Sequence, residues 1–239
     1  MQRLVAFLDM LGTQESVRSG RFHSVDTLEF ANPVGFAAMS CPEMQFAVFS
    51  DSVVVSAPID HVDRFIGVLA SFLGNWFYES ILARGGIAVG EIQWVEQPSI
   101  DGHFRALRNF HYARVYGSAL VEAINLERSS GPGAICFLSA AAAKHIAAVS
   151  SVYVLPGLTP MLAWADKSTS DAFIDLLTRV LAGEESSARY RHVAATLSFL
   201  EQAATANKFA PSGLANETLG GERSPNKRFQ PRARRARRR

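Results

Sequence analysis

The stretch AVFSDSVVVSA, residues 47–57, contains a single carboxylate, Asp51, between two runs of apolar and β-branched residues. Such runs predict two β-strands, and the short polar break that starts at Ser50 predicts a hairpin turn between them. Residues 3–11 predict another buried strand, and this strand also carries one carboxylate, Asp9. Two isolated acids in apolar segments need a physical reason, because burying a charge without a partner is costly.

The rest of the chain predicts alternating strands and helices. Apolar residues recur at helical spacing from Val62 to Phe77, and Asp60 is the expected N-cap of that helix. The run ARGGIAVGEI, residues 83–92, predicts a strand whose glycines allow close backbone approach. The other predicted elements are strands at 44–49 and 52–57, a broken helix and loop over 12–43, an excursion over 95–113, a strand turning into a helix at 117–118, a strand and helix over 133–146, and helices near 170–181 and 187–204. This order predicts an α+β sandwich with one layer of helices on a mostly antiparallel sheet.

The composition predicts a globular protein of the cytoplasm. Hydrophobic residues make up 48% of the 239 positions, and no apolar stretch reaches the roughly 18 residues that span a bilayer. Cys41 and Cys136 lie far apart without metal-ligand companions, which argues against a disulfide framework and a zinc site. The sequence also lacks the GxxxxGK[ST], GxGxxG, GxSxG and HExxH motifs, so P-loop, Rossmann, hydrolase and zincin functions have no support.

The charge distribution predicts three regions. Residues 221–239 hold nine of the 24 Lys and Arg residues and one of the 22 acidic residues, so the remaining 220 residues carry a net charge of −6. We expect a main domain over 1–150, a C-terminal strand and helical extension over 151–210, and a basic, disordered tail over 211–239. The tail could bind polyanions, and residues 103–114 could stack on single-stranded nucleic acid. A dispensable extension and an ordinary loop are the favoured interpretations, so nucleic acid is the less favoured partner.

The two acids themselves suggest a metal site. A hairpin that carries Asp51 at its tip would place it beside the end of the first strand, where Asp9 lies. Two ionised carboxylates close together raise one another's pKa unless a cation lies between them. Hard oxygen ligands favour Mg²⁺ or Mn²⁺, and the turn formed by Leu11, Gly12 and Thr13 can offer N–H groups to substrate phosphates. The alternative is that each acid only caps a turn.

Four segments in chain order, VAFLDMLG, FSDSVVVS, RGGIAVGE and VYGSALVEAINLE, resemble the landmarks of class III nucleotidyl cyclases. Within that family, the chain is most similar to the pyrimidine cyclases of bacterial Pycsar antiphage defence systems. The resemblance covers about residues 3–145. It implies a cyclase-like (ferredoxin-like) sandwich followed by C-terminal helices, and a head-to-tail homodimer with its sites at the interface.

The resemblance implies a reaction and its ligands. Asp9 and Asp51 would hold two divalent ions, Mn²⁺ or Mg²⁺, with the carbonyl of Met10 as a further ligand. The ribose 3′-hydroxyl of UTP, the favoured substrate, or of CTP, the alternative, would attack the α-phosphate and release pyrophosphate. The lyase product, cyclic UMP or cyclic CMP, would be a second messenger of antiviral defence that a separate cyclic-nucleotide-sensing effector reads.

Several positions depart from the pattern of the purine cyclases. Ala47 stands where those enzymes have a lysine that contacts the base, and Val121 and Asn125 stand where they have asparagine and arginine. Arg84 is the candidate to replace the missing catalytic cation, and a surface ion pair is its equally weighted alternative. Phe49 could wall the base pocket, with an ordinary core phenylalanine as the slightly favoured alternative, and Ser50 and Asn125 would contact nucleotide. A catalytically silent nucleotide-binding protein on the same fold therefore stays open.

Overall fold

The computed structural model describes residues 2–20, 22, 24–95, 114–149, 154–165, 167–181 and 188–206. These residues form a mixed α+β fold, as the sequence predicts. The strands are β1 (Gln2–Met10), β2 (Gln45–Phe49), β3 (Ser52–Pro58), β4 (Ala83–Glu91), β5 (Gln93–Val95), β6 (Arg114–Tyr116), β7 (Cys136–Leu138), β8 (Val154–Leu155) and β9 (Met161–Leu162). The helices are α1 (Thr13–Arg18), α2 (Ser24–Ser40), α3 (Val62–Tyr78), α4 (Ser118–Ser129), α5 (Ala140–Val149), α6 (Lys167–Leu181) and α7 (Ala188–Ala206).

One seven-stranded sheet organises the fold, in the order β2-β3-β1-β4-β7-β9-β8, and β5 pairs with β6 in a separate ribbon. β1 pairs antiparallel with β3 on one side and with β4 on the other. β4 and β7 run parallel, whereas β2–β3, β7–β9 and β8–β9 are antiparallel. The end of β1 that carries Asp9 is therefore flanked by strands on both sides.

The sheet is covered by helices on both faces. Because side chains alternate along a strand, Leu4 and Leu8 of β1 point into the main core, which contains buried side chains of α2, α3, α5, α6 and α7. Val5 points the other way and packs with Ala119 and Leu120 of α4 in a second, smaller cluster. The prediction of a single helix layer is wrong in this respect, since α4 covers part of the opposite face.

Helix α4 lies directly on β4 because Gly86 has no side chain. A Cβ atom built on Gly86 would lie only 2.0 Å from the carbonyl oxygen of Ala123 in α4. One turn nearer the start of α4, a Cβ on Gly90 would lie 3.2 Å from the Ser118 hydroxyl. Gly86 and Gly90, two of the glycines that the sequence marked for close approach, therefore allow this helix to lie against the strand.

Helix α2 replaces the broken helix and loop predicted over 12–43. It continues through Pro33, although a proline in a helix interior removes a hydrogen bond and costs about 3 kcal/mol. Tertiary packing offsets that cost. Phe30 is fully buried and stacks on Trp76 with ring centroids 4.4 Å apart, and the Trp76 indole N–H donates to the Phe30 carbonyl at 2.9 Å.

The start of α3 also differs from the prediction. Asp60 lies in a 3₁₀ turn, Ile59–His61, and α3 begins after it with His61 at the N-cap position and without a side-chain cap. The aromatic residues of α3 are core residues, as the sequence predicts, since Phe65, Phe72 and Trp76 are at most 1% exposed.

The C-terminal elements continue the same core. β8 and β9 extend the sheet beyond β7, and Trp164 stacks on Phe199 of α7 at 5.8 Å while Phe77 stacks on Phe173 of α6 at 4.0 Å. Among the described helices, none is both long and apolar enough to cross a membrane. The predicted tail, together with the 103–113 part of the segment considered for nucleic-acid binding, lies outside the described residues.

Candidate active site

Asp9 lies next to the last residue of β1, opposite Ser52 of β3 and Arg84 of β4. Its carboxylate is half-buried, and Oδ1 accepts a hydrogen bond from the Ser52 hydroxyl at 2.6 Å. A charge-assisted hydrogen bond of this length fixes the orientation of the carboxylate.

Asp51 reaches the same place through the β2–β3 turn. The Met10 N–H donates to the Asp51 carbonyl at 2.9 Å, which joins the tip of the hairpin to the end of β1. Ser50 adopts a left-handed conformation (φ 56°) that closes the tight two-residue turn. The two isolated acids of the sequence therefore lie at the same end of the sheet, close enough for the negative charge of Asp51 to raise the pKa of Asp9.

The electrostatic state of Asp9 reflects this arrangement. Burial raises the pKa of Asp9, the hydrogen bond from Ser52 lowers it, and the negative charges of Asp51 and Glu127 raise it further. Arg84 acts in the opposite sense, and the net shift is upward from the ordinary value. The negative charge of Asp51 therefore acts against ionisation of Asp9, and a cation bound between the two carboxylates would remove that penalty.

The oxygen ligands at this end of the sheet fit a divalent ion that is bound together with a substrate. No group of three or more His, Cys, Asp or Glu side chains forms a ready-made cage among the described residues. Asp9 and Asp51 supply two carboxylates, and the Met10 carbonyl, which accepts from the Thr13 hydroxyl at 3.2 Å, retains a second lone pair. Mg²⁺ and Mn²⁺ are commonly bound in this way, by one or two carboxylates plus phosphate and water oxygens.

The turn after Asp9 has fewer donors to offer than the sequence suggests. The Leu11 N–H donates to the Leu82 carbonyl at 2.8 Å, so this donor already serves the sheet. Gly12 adopts a positive φ of 83°, and α1 begins immediately after it at Thr13. Phosphate binding by Gly12 and Thr13 stays a prediction.

Arg84 is held by Glu127 beside the acid pair. Its Nε donates to Glu127 Oε1 at 2.8 Å, its Nη2 makes a shorter contact with the same oxygen, and its Nη1 donates to the Gly131 carbonyl at 3.0 Å. The side chains of Arg84 and Glu127 are 18% and 5% exposed. The pair is therefore largely buried, not a surface ion pair, and the catalytic role of Arg84 stays a prediction.

An apolar cavity adjoins the acid pair. Its volume is about 320 Å³, and Ser52 links it to the acids because the same residue lines the cavity and donates to Asp9. The other lining residues are Phe7, Phe49, Val54, Val115, Leu120 and Ile124. Phe49, the candidate wall of a base pocket, is thus placed beside the carboxylates.

The positions that depart from the purine cyclases lie on β2 and α4 and are not among the residues that line this cavity. Ala47 is partly buried and packs against the second apolar cluster. Val121 and Asn125 lie on the exposed side of α4, and the Asn125 carbonyl accepts from the Ser129 hydroxyl at 2.6 Å. A contact of Asn125 with nucleotide stays a prediction, and it would require a ligand or partner on that side.

Two residues of this site were missed in the sequence. Ser52 was seen only as part of a strand, because the register that pairs it with Asp9 joins β1 to β3 across 43 positions and no local turn sets it. Glu127 is 43 residues from Arg84, and only its position in the quoted segment VYGSALVEAINLE could have drawn attention to it. Its burial at 4% exposure marks it as a partner for a buried cation.

No family model matches the chain, and no curated protein matches it. Solved structures resemble its fold remotely. The guanylyl cyclase Cya2 has 11% identity over 68% of this chain and 90% of its own, with a TM-score of 0.44. A bacterial light-regulated adenylyl cyclase has 12% identity over 67% and 88%, and the adenylyl cyclase CyaB from P. aeruginosa 11% over 67% and 91%, each with a TM-score of 0.43. Similarity at this level carries no argument about activity, which must be inferred from the geometry of the chain itself.

Proposed function

We propose that this chain is a metal-dependent nucleotide cyclase of the class III type that acts on a pyrimidine nucleoside triphosphate. UTP is the favoured substrate and CTP the less favoured one, with 3′,5′-cyclic UMP or cyclic CMP and pyrophosphate as products. The observation that carries the proposal is that Asp9 and Asp51 lie at the same end of the sheet, beside an apolar cavity.

Each side chain has a role in this proposal. Asp9 and Asp51 bind the cations, Ser52 keeps the Asp9 carboxylate oriented, and the cavity walls exclude water from the base. Two bound Mg²⁺ or Mn²⁺ ions would supply Lewis-acid activation of the 3′-hydroxyl and neutralise charge on the triphosphate. Such a reaction needs positioning and charge stabilisation more than covalent chemistry. Arg84 is the proposed additional positive charge.

The preference for a pyrimidine is supported by the residue at position 47. The cavity of about 320 Å³ has room for either a pyrimidine or a purine ring, so its volume does not decide between them. Ala47, in place of a lysine that would contact a purine, packs in the apolar cluster beside it. UTP is placed before CTP because of the resemblance to the Pycsar cyclases, and not because of these contacts.

A homodimer completes the proposal. The sheet face that carries Phe7 and Phe49 is only partly covered by α4, so both rings remain half-buried. A second copy arranged head to tail would cover this face and place the exposed side of α4 against the neighbouring site. The cyclic nucleotide would then serve as a second messenger of antiphage defence that acts through a separate effector.

The test is product analysis with purified protein. We expect incubation with Mn²⁺ and each of the four nucleoside triphosphates to yield a cyclic product from UTP, with CTP as the alternative substrate. Asp9→Asn and Asp51→Ala should abolish it, whereas Asp63→Asn, at an exposed position of α3, should leave it unchanged. Size measurement by light scattering of the same samples tests the dimer.

Other outcomes decide between the alternatives. Nucleotide binding without product would contradict the cyclase proposal and support the catalytically silent protein. The specific argument for that alternative is that valine occupies position 121, where the purine cyclases have asparagine. A cyclic purine product would contradict the pyrimidine preference while leaving the cyclase proposal intact. A product that survives Asp51→Ala would refute the assignment of the site.

A further inference from the structure

The loop between α4 and β7, residues 130–135, is held from two separate parts of the chain. On the side of the candidate site, Arg84 Nη1 donates to the Gly131 carbonyl at 3.0 Å. On the other side, the Gly133 N–H donates to Nδ1 of His192 in α7 at 3.2 Å. A helix of the C-terminal extension therefore contacts the same short loop that receives the arginine.

Thr196 strengthens the contact between α7 and this loop. Its hydroxyl accepts from the Ala134 N–H at 2.8 Å and donates to the His192 carbonyl at 2.7 Å, and the residue is fully buried. The packing is close as well, because a Cβ on Gly133 would lie 3.2 Å from Cβ of Ala195. These contacts leave the loop little freedom to move independently of α7.

Arg84 transmits the loop's position to the acid pair. It stands opposite Asp9 in the β1–β4 register, and its positive charge lowers the pKa of Asp9 against the larger effect of burial. With Glu127 holding one side of the guanidinium and Gly131 the other, a shift of the loop removes one of the two supports.

His192 can accept from Gly133 only when its Nδ1 carries no proton. Burial lowers the pKa of His192, and the charges of Arg84 from β4 and Arg191 from α7 itself lower it further. The imidazole is therefore kept in the accepting form at neutral pH. A proton on His192 would remove the acceptor and place a second positive charge near Arg84.

We propose that α7 controls the candidate active site, with His192 as a positioning residue that holds Arg84 in place through the 130–135 loop. The inference rests on the proposed function and adds a role for the C-terminal extension. Displacement of α7, or protonation of His192, frees the loop end that receives Arg84 and slows turnover through the altered position of Arg84, while Asp9 and Asp51 keep their places in the fold.

Three variants test this in the full-length chain. His192→Leu removes the acceptor, and we expect kcat to fall about tenfold, as for the loss of one positioning hydrogen bond, with little change in KM. His192→Asn retains an acceptor at the same position, so kcat at neutral pH should stay within about twofold of the original. Ser198→Ala changes an exposed position of the same helix and serves as the matched control.

The pH profile separates positioning from a merely structural role. The original chain should lose activity in an acidic limb below the ordinary histidine pKa of 6.5, whereas His192→Asn, which cannot titrate, should lack that limb. An identical limb in both proteins would overturn the proposal. Equal kcat values for His192→Leu and Ser198→Ala would do the same. If His192→Leu fails to fold, the comparison with His192→Asn still decides.

Amide hydrogen exchange keeps this inference distinguishable from the cyclase proposal. His192→Leu should speed exchange in residues 130–135 and should leave the strand β1 unchanged. If the original chain makes no cyclic nucleotide, the cyclase proposal fails, and the exchange experiment then judges the link between α7 and the loop. Unchanged exchange in the loop would refute that link whatever the activity.

Discussion

Replacing Gly86 by alanine tests how α4 is seated on the sheet. The added Cβ would lie 2.0 Å from the Ala123 carbonyl oxygen and 2.8 Å from Cβ of Leu126, whereas ordinary contact begins near 3.4 Å. The backbone of α4 cannot rotate away as a flexible side chain would, so the helix must move by about 1.4 Å, the difference between these contacts. Overpacking of this kind costs about 1–3 kcal/mol, and we expect the upper end.

The displacement should also reach the site. Helix α4 carries Leu120 and Ile124, which line the cavity, and Glu127, which holds Arg84. Movement of the helix away from β4 shifts all three together. We therefore expect Gly86→Ala to lower cyclase activity even at temperatures where the protein stays folded, while Mn²⁺ binding by the acid pair is retained.

The assay is urea denaturation at 25 °C, with Gly74→Ala as the matched control. Gly74 lies inside α3, and a Cβ there would meet nothing within 4 Å. Alanine should therefore stabilise that helix by about 0.5–1 kcal/mol. The same chemical change should thus act in opposite directions at the two sites. If Gly86→Ala were as stable as the original chain, α4 would not lie on β4 as described. The placement of Leu120 and Ile124 in the cavity wall would then be wrong as well.

Four further predictions concern the acid pair and its neighbours. The pKa of Asp9 is raised in the folded protein above its unfolded value of 3.8, so the free energy of unfolding falls as the pH rises from 3.8 through the folded pKa. Asp9→Asn should therefore be more stable than the original chain at pH 7 but not at pH 3. Urea denaturation at both pH values checks this. Mn²⁺ at one hundred times its Kd should stabilise the original chain by about 2.7 kcal/mol and Asp9→Asn hardly at all, as measured by thermal shift. Ser50 already bears the penalty of about 1–2 kcal/mol for a positive φ, so Ser50→Gly should not lower stability in the same urea assay, whereas the β-branched Ser50→Val should lower it. Glu127→Leu should lower the free energy of unfolding by about 3 kcal/mol, because it leaves the buried charge of Arg84 without its partner. Adding Arg84→Met should restore most of that stability but not the activity. A double variant that is both stable and active would show that the pair is only structural.

Much of the sheet could be predicted because its signals are local. The strand before Asp9 and the hairpin around Asp51 are short apolar runs bounded by turn residues, and the turn at Ser50 sets the register of β2 against β3. The same local reasoning failed at Pro33, where the helix-breaking tendency is real but is outweighed by the stacking of Phe30 on Trp76. Propensity is a weak prior when a buried aromatic pair lies one turn away.

The parts that could not be predicted depend on contacts between distant residues. Arg84 and Glu127 are 43 positions apart, and the contacts of α7 with the 130–135 loop join residues about 60 positions apart. No periodicity in either segment indicates its partner. The sequence therefore located the acids, whereas the groups that surround them and adjust their charge emerged only from the packing.

The partner that Arg84 takes bears directly on whether the acid pair is functional. A chain that needed only a stable sheet edge could pair Arg84 with Asp9, its neighbour across the strands. Instead the guanidinium donates its hydrogen bonds to Glu127 and to the Gly131 carbonyl. The Asp9 carboxylate accepts a hydrogen bond from the Ser52 hydroxyl. Arg84 is close enough to lower the pKa of Asp9, but its ion-pair partner is Glu127. Asp9 and Asp51 therefore keep their negative charge available to a cation that binds beside the apolar cavity. Such an arrangement costs stability when empty, and binding of a metal–nucleotide complex would reverse that cost.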